Sequence, residues 1–107
     1  MNFIHTFQEA LASDWPAALQ RDEWFFARRR DDLVAGLNPS EAFAAIDEAA
    51  TLLQQQSDPF LRGECGALLL SLARHADTTE MPSVLRSNWS AVMTGLQDVP
   101  QIAVQLR

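Results

Sequence analysis

Asn38-Pro39-Ser40-Glu41, running into Ala42-Phe43-Ala44-Ala45-Ile46, is the stretch on which the reading of the fold turns. Asn38 offers a side-chain oxygen to the unpaired amides of a first helical turn. Pro39 presets φ at a position where a missing N–H costs nothing, and Glu41 stands where its carboxylate can reach back to the cap amide. Ala42, Ile46, Ala49 and Leu53 then recur on one stripe with Phe43 and Ala50 beside them, so the spacing predicts a helix running to about Gln56. Asp58-Pro59 repeats the device and opens a helix with Leu61, Cys65, Leu68, Leu69 and Leu72 on one face, ending near His75-Ala76-Asp77. A third start is read at Thr78 to Pro82, ahead of Leu85, Trp89, Val92 and Leu96, with an end around Gln97-Asp98. Val99-Pro100 begins a short last segment bearing Ile102 and Leu106.

Upstream, Asn2 is the expected cap of a short helix carrying Phe3, Phe7, Ala10 and Leu11 and ended by Ser13-Asp14. Trp15-Pro16 opens a further stretch reaching Leu37, and the sequence leaves open whether it is one helix or two with a break near Gln20-Arg21-Asp22. No segment alternates with period two and β-branched residues are scarce, which excludes strands as a principal element. The expectation is an all-α chain, one domain over residues 1–107. Five or six helices form an up-and-down bundle or a short HEAT-like stack of helical hairpins, since a rhythm of about forty residues per hairpin is that of such repeats.

With 107 residues, 48% of them hydrophobic, the chain is long enough for one core and well outside the composition of disordered segments. Acidic, basic or amide side chains interrupt every apolar run, so no membrane span is expected. Met1-Asn2-Phe3-Ile4-His5 lacks a basic region followed by an apolar block, and a single cysteine offers no internal disulfide; cytoplasm is the default reading. Fourteen carboxylates oppose eight arginines, with no lysine, for a net charge of −6. Such a chain is ill suited to hold phosphate-rich nucleic acid or an anionic membrane, and suited to a basic protein partner.

Catalytic and metal chemistry find little to work with. His5, Cys65 and His75 are never at the i, i+3 or i, i+4 spacing of a ready ligand pair. Cys65 lies on the apolar stripe between Leu61 and Leu68, beside an acid rather than a base, and reads as a core residue. His75 reads as a helix C-terminal residue that suits the dipole there. The glycines of Arg62-Gly63-Glu64-Cys65-Gly66 fall inside a helical pattern, where they serve helix contact better than a phosphate cradle. Adjacent acids, Asp31-Asp32 and Asp47-Glu48, point about a hundred degrees apart on a helix and read as solvated faces. No enzyme activity, metal or cofactor is expected.

Two features exceed the needs of a core. Trp24-Phe25-Phe26 sweeps about 200° of a helix, so Phe26, Leu33 and Leu37 can form a core stripe while Trp24 or Phe25 is left towards an edge, unless a helix wedged between two others buries all three rings. The arginines that follow, Arg28-Arg29-Arg30, lie among Asp22, Glu23, Asp31 and Asp32, which neutralise them locally. The second feature is the helix from Asn38 to Gln56, whose Glu41, Asp47 and Glu48 have no arginine nearby in sequence. Trp24, Phe25, Glu41, Asp47 and Glu48 are therefore the expected partner-binding residues, aromatic anchors and acids able to dock on a basic cleft.

The segments Asp58-Pro59-Phe60-Leu61-Arg62-Gly63-Glu64 and Asn88-Trp89-Ser90-Ala91-Val92-Met93-Thr94-Gly95-Leu96, in this two-hairpin rhythm on a short acidic helical chain, resemble the small helical immunity proteins of bacterial polymorphic and contact-dependent toxin systems. The resemblance rests on size, acidity and layout, and transfers no functional residue. It implies a cytoplasmic inhibitor that covers the active site or substrate cleft of a cognate toxin domain, many of which are basic nucleases. The other reading of the same features is a secretion chaperone, adaptor or dimeric structural protein in which Trp24 and Phe25 bury an interface.

Overall fold

The computed structural model describes residues 3–77 and 86–96, and among them the chain is all-α, with six helices and no strand. They are α1 (His5–Ala12), α2 (Trp15–Arg21), α3 (Phe25–Ala35), α4 (Pro39–Gln55), α5 (Pro59–Ala76) and α6 (Trp89–Gly95). The expected starts at Thr78 to Pro82 and at Val99-Pro100 lie outside the described residues.

The start of α4 is built as its residues dictate. The Asn38 side chain accepts from the Glu41 amide at 2.8 Å, and the Glu41 carboxylate accepts from the Asn38 amide at 3.0 Å. α5 begins on Asp58, whose Oδ1 accepts from the amides of Phe60 at 2.8 Å and Leu61 at 3.3 Å. It ends at Asp77, the one described non-glycine residue with positive φ (52°), in the left-handed conformation that Asp tolerates better than most side chains.

α4 and α5, joined by Gln56–Asp58, fold back on each other and form the most extensive helix pair. α4 contributes Ala42, Ala45, Ala49 and Ala50 with Ile46, Leu52 and Leu53; α5 contributes Cys65, Gly66, Leu68, Leu69 and Leu72. The small side chains of α4 let the larger leucines of α5 seat closely. α3 lies on α5, α6 on α4, and α1 on α3 with α2 beside it. The fully buried residues form one cluster and all are apolar among the described residues. None of the described helices is long and apolar enough to cross a membrane.

Three boundaries differ from the sequence reading. α1 starts at His5 with Ile4 in the cap position and no side-chain cap bond, while Phe3 lies ahead of it in a turn. The Phe3 amide donates to Glu48 of α4 at 2.9 and 3.2 Å, which fastens the approach to α1 onto α4. The stretch from Trp15 to Leu37 is two helices, because Asp22 is extended (φ −150°, ψ 103°) and uses its own carboxylate to bind the Trp24 amide at 3.1 Å. In the last described stretch Arg86–Ser87 is helical, but Asn88 interrupts it and α6 begins only at Trp89, with Val92 and Leu96 buried as expected. Ser and Asn side chains compete with helix continuation at such a point.

Leu69→Ala is expected to lower the unfolding free energy by about 2–5 kcal/mol, since the site is fully enclosed. Asn38→Ala should cost about 1 kcal/mol and Asn38→Asp nearly nothing. Urea titration of the three variants checks the ordering; equal losses for the two Asn38 variants would contradict the capping account.

Candidate partner-binding surface

Asp22 organises the turn that carries the aromatic triplet. Its carbonyl accepts from the Phe25 amide at 3.1 Å, its Oδ1 from Trp24, and its Oδ2 pairs with Arg28 Nε at 3.3 Å. The backbone therefore leaves α2, turns, and enters α3 with Trp24 at the turn. Trp24 is 59% exposed, Phe25 is half-buried and Phe26 is 2% exposed, so the three consecutive rings divide among solvent, edge and core.

Phe26 is the centre of an aromatic array. Phe7, Trp15 and Phe60 lie with ring centroids 6.1, 6.2 and 6.0 Å from it, and Phe25 meets it edge-on at 5.1 Å. Trp15 and Phe60 stack on each other at 5.1 Å with planes 17° apart. Phe60 remains 43% exposed. This pair was not among the expected binding residues. A signal for it exists in the parallel Asp14-Trp15-Pro16 and Asp58-Pro59-Phe60 segments, each placing an aromatic ring in a first helical turn after an aspartate. Only the packing of α2 and α5 around Phe26 brings the two rings together.

The acidic residues of α4 are placed differently from the aromatic ones. Glu41 is half-buried and committed to the capping box. Glu48 is half-buried and held by the Phe3 amide; loss of hydration raises its pKa above the usual carboxylate value, opposed by that hydrogen bond. Asp47 is half-buried, and its carbonyl accepts from the Thr51 hydroxyl at 3.0 Å. Trp24 and Glu41 lie at opposite ends of α3, whose eleven residues span about 16 Å. Trp24 and Phe25 thus form one candidate region, and the α4 acids another.

The arginine run is answered one residue at a time. Arg28 pairs with Asp22, the Arg29 guanidinium lies 5.3 Å from the centre of the Phe25 ring, and Arg30 reaches Glu64 of α5 at 3.5 Å. The neutralising partner of Arg30 is thus supplied by the fold and not by its neighbours in sequence. Burial raises the pKa of Glu64 and the Arg30 charge works against that rise. Between α1, α2 and α3 an open groove of about 360 Å³ is lined by Glu9, Asp14, Arg21, Phe25 and Arg29 among others, with charges of both signs.

Cys65 is fully enclosed, and burial, with Glu64 adding, pushes its thiol up to about 12, which leaves it protonated and a poor nucleophile at neutral pH. His75 Nε2 donates to the Leu37 carbonyl at 2.5 Å, tying the end of α5 to the α3–α4 connection. The sequence reading assigned His75 to the helix dipole and missed this bond, which joins residues far apart in the chain. His5 pairs with Glu9 on the surface of α1 at 2.5 Å. Among the described residues no three His, Cys, Asp or Glu side chains stand together as a metal site. Comparison of the chain with protein families, curated proteins and solved structures gives no match.

Native protein at pH 8 is expected to leave Cys65 unmodified by a thiol-reactive disulfide reagent and to react stoichiometrically once unfolded in urea; rapid native reaction would refute its enclosure. Because the folded pKa of Glu64 lies above its unfolded value, the folded state takes up a proton between the two, and stability falls as pH rises through that interval. Urea midpoints of the parent chain should therefore gain more than those of Glu64→Gln as pH is lowered from 7 into the carboxylate range. Parallel pH profiles would show that Glu64 carries no such linkage.

Proposed function

We propose that this chain is a protein-binding inhibitor, an immunity protein that neutralises a cognate bacterial toxin domain by covering its active site or substrate cleft. The observation that carries the reading is Trp24: a tryptophan left 59% exposed at a helix–helix turn, beside Asp22 and the exposed Glu23, on a chain of net charge −6. A large aromatic of this kind contributes little to the core and suits a contact anchor. The negative field supports a partner with a basic surface, for which a nuclease domain is the natural candidate, and favours rapid association. On this reading the protein works in the cytoplasm, without a cofactor and without catalysis of its own.

Phe25, next to Trp24 in the chain, is half-buried, meets Phe26 edge-on and carries the Arg29 guanidinium over its ring. Glu41, Asp47 and Glu48 add to the field from α4, and two of them do so while fastened to backbone amides. Charge reversal at Glu41 or Glu48 would disturb the fold together with any contact, so Glu23 is the cleaner position for a test of charge.

Co-expression with the product of the adjacent gene is expected to yield a stable one-to-one complex and to relieve that protein's toxicity. Trp24→Ala should weaken the complex by at least about tenfold while circular dichroism and melting stay unchanged. Glu23→Arg should slow association and flatten its salt dependence. Affinity untouched by both substitutions would remove this surface. A light-scattering mass of two chains that falls to one in Trp24→Ala would replace the reading with that of a dimeric adaptor.

A further inference from the structure

We propose that the groove between α1, α2 and α3 binds a zwitterionic small molecule of amino-acid size, with an ammonium group, a carboxylate and an apolar side chain. The inference goes beyond the partner reading and uses neither Trp24 nor the α4 acids. The groove holds about 360 Å³, within the roughly 300–1,000 Å³ of small-molecule sites. Each helix gives it one face: Glu9 and Ala10 from α1, Ala18 and Arg21 from α2, Phe25 and Arg29 from α3. Asp14, the cap residue of α2, completes the charged lining.

The neighbouring arginines of α3 are answered by acids, Arg28 by Asp22 and Arg30 by Glu64. In the groove the opposite charges do not close on one another. Among the described residues Glu9 pairs with His5, Asp14 makes no side-chain cap bond, and neither Arg21 nor Arg29 has an acid as partner. The Arg29 guanidinium instead lies 5.3 Å from the centre of the Phe25 ring, which holds it at the groove wall. All four charged side chains are exposed, so both signs are open to a ligand. Ala10, Ala18 and Phe25 supply the apolar part of the lining, and the Ser13 hydroxyl is turned to the Ala10 carbonyl at 2.6 Å. Guanidinium groups suit a carboxylate and carboxylates suit an ammonium group, so a zwitterion meets both.

Other occupants fit less well. An anion would meet Glu9 and Asp14 in the field of a chain of net charge −6, and a cation would meet Arg21 and Arg29. An uncharged apolar molecule would strip water from four charged groups with nothing in return. A protein partner covers roughly 800 Å² of each surface, far more than this groove supplies by itself.

The test is a titration of the full chain with L-phenylalanine, followed by NMR at the Ala10 and Ala18 methyls and the Phe25 ring. Phenylalanine amide lacks the carboxylate, N-acetyl-phenylalanine lacks the ammonium group, and both keep the apolar side chain. Phenylalanine is expected to shift all three signals saturably, with millimolar affinity or tighter, and each analogue to bind at least about tenfold more weakly. Deleting either pair of charges should exchange that preference. Arg21→Gln with Arg29→Gln should bind the amide better than phenylalanine. Glu9→Gln with Asp14→Asn should bind N-acetyl-phenylalanine better than phenylalanine. The four positions are exposed, so melting should stay unchanged. Should a double variant unfold, Ala18→Leu narrows the groove without touching a charge and should weaken phenylalanine binding by at least about tenfold.

No saturable shift with phenylalanine, equal binding of either analogue, shifts confined to α4 and α6, or an unchanged preference in both double variants would each overturn the proposal. Full phenylalanine affinity in Ala18→Leu would do the same. The toxin-complex experiment above reads separately, because Trp24→Ala removes the partner anchor and leaves the groove lining as it is. An empty groove spares the inhibitor reading, and a missing toxin complex spares the groove.

Discussion

The packing of α4 against α5 is the contact on which the rest of the molecule is assembled. It pairs an alanine-rich face, Ala42, Ala45, Ala49 and Ala50, with a leucine-rich one, Leu68, Leu69 and Leu72, and excludes water from both. Each helix draws most of its stability from that buried face, since helix nucleation is costly and packing rather than propensity supplies most helical stability. Once the pair forms, its flanks become the floor for the others: α3 lies on α5, α6 lies on α4, and α1 reaches the core by lying on α3.

The second organising centre is Phe26. One ring on α3 gathers Phe7 of α1, Trp15 of α2 and Phe60 of α5, so the short N-terminal helices are attached to the α4–α5 pair mainly through aromatic contact. α2 illustrates the dependence. It has seven residues, none of them fully buried, and Trp15 packs against Phe26 and Phe60. Trp24 stays in solvent and Phe60 partly so, and among the described residues these are the exposed large hydrophobic side chains.

The polar groups mostly serve the fold. Glu41 closes a capping box, Glu48 holds the Phe3 amide, Asp22 shapes the α2–α3 turn, Glu64 pairs with Arg30 and His75 fastens α5 to Leu37. That use bears on function. A carboxylate already bound to a backbone amide is a fixed source of field rather than a mobile contact, as Glu41 and Glu48 are, while Trp24 and Phe60 are the large hydrophobic side chains open to solvent among the described residues. Cys65, enclosed and protonated, belongs to the core.

What the sequence by itself determined is the local structure with a local cause. The starts of α4 and α5 follow from Asn38, Glu41 and Asp58, whose side chains bind amides two or three residues away, and their buried stripes follow from helical periodicity. The break after Arg21 was legible only as a possibility, because Asp22 has equal chemical licence to sit within a helix or to end one. That Trp24-Phe25-Phe26 could not all face one core was legible too, from the angle each residue occupies. Only the tertiary structure decided which ring went where, that Glu48 would bind the Phe3 amide, that Arg30 would find Glu64, and that two rings forty-five residues apart in sequence would stack. The physical reason is one of range: caps and amphipathic stripes are settled by neighbours within a turn or two, whereas ring stacking and cross-helix bonds depend on which helices the buried α4–α5 face brings together.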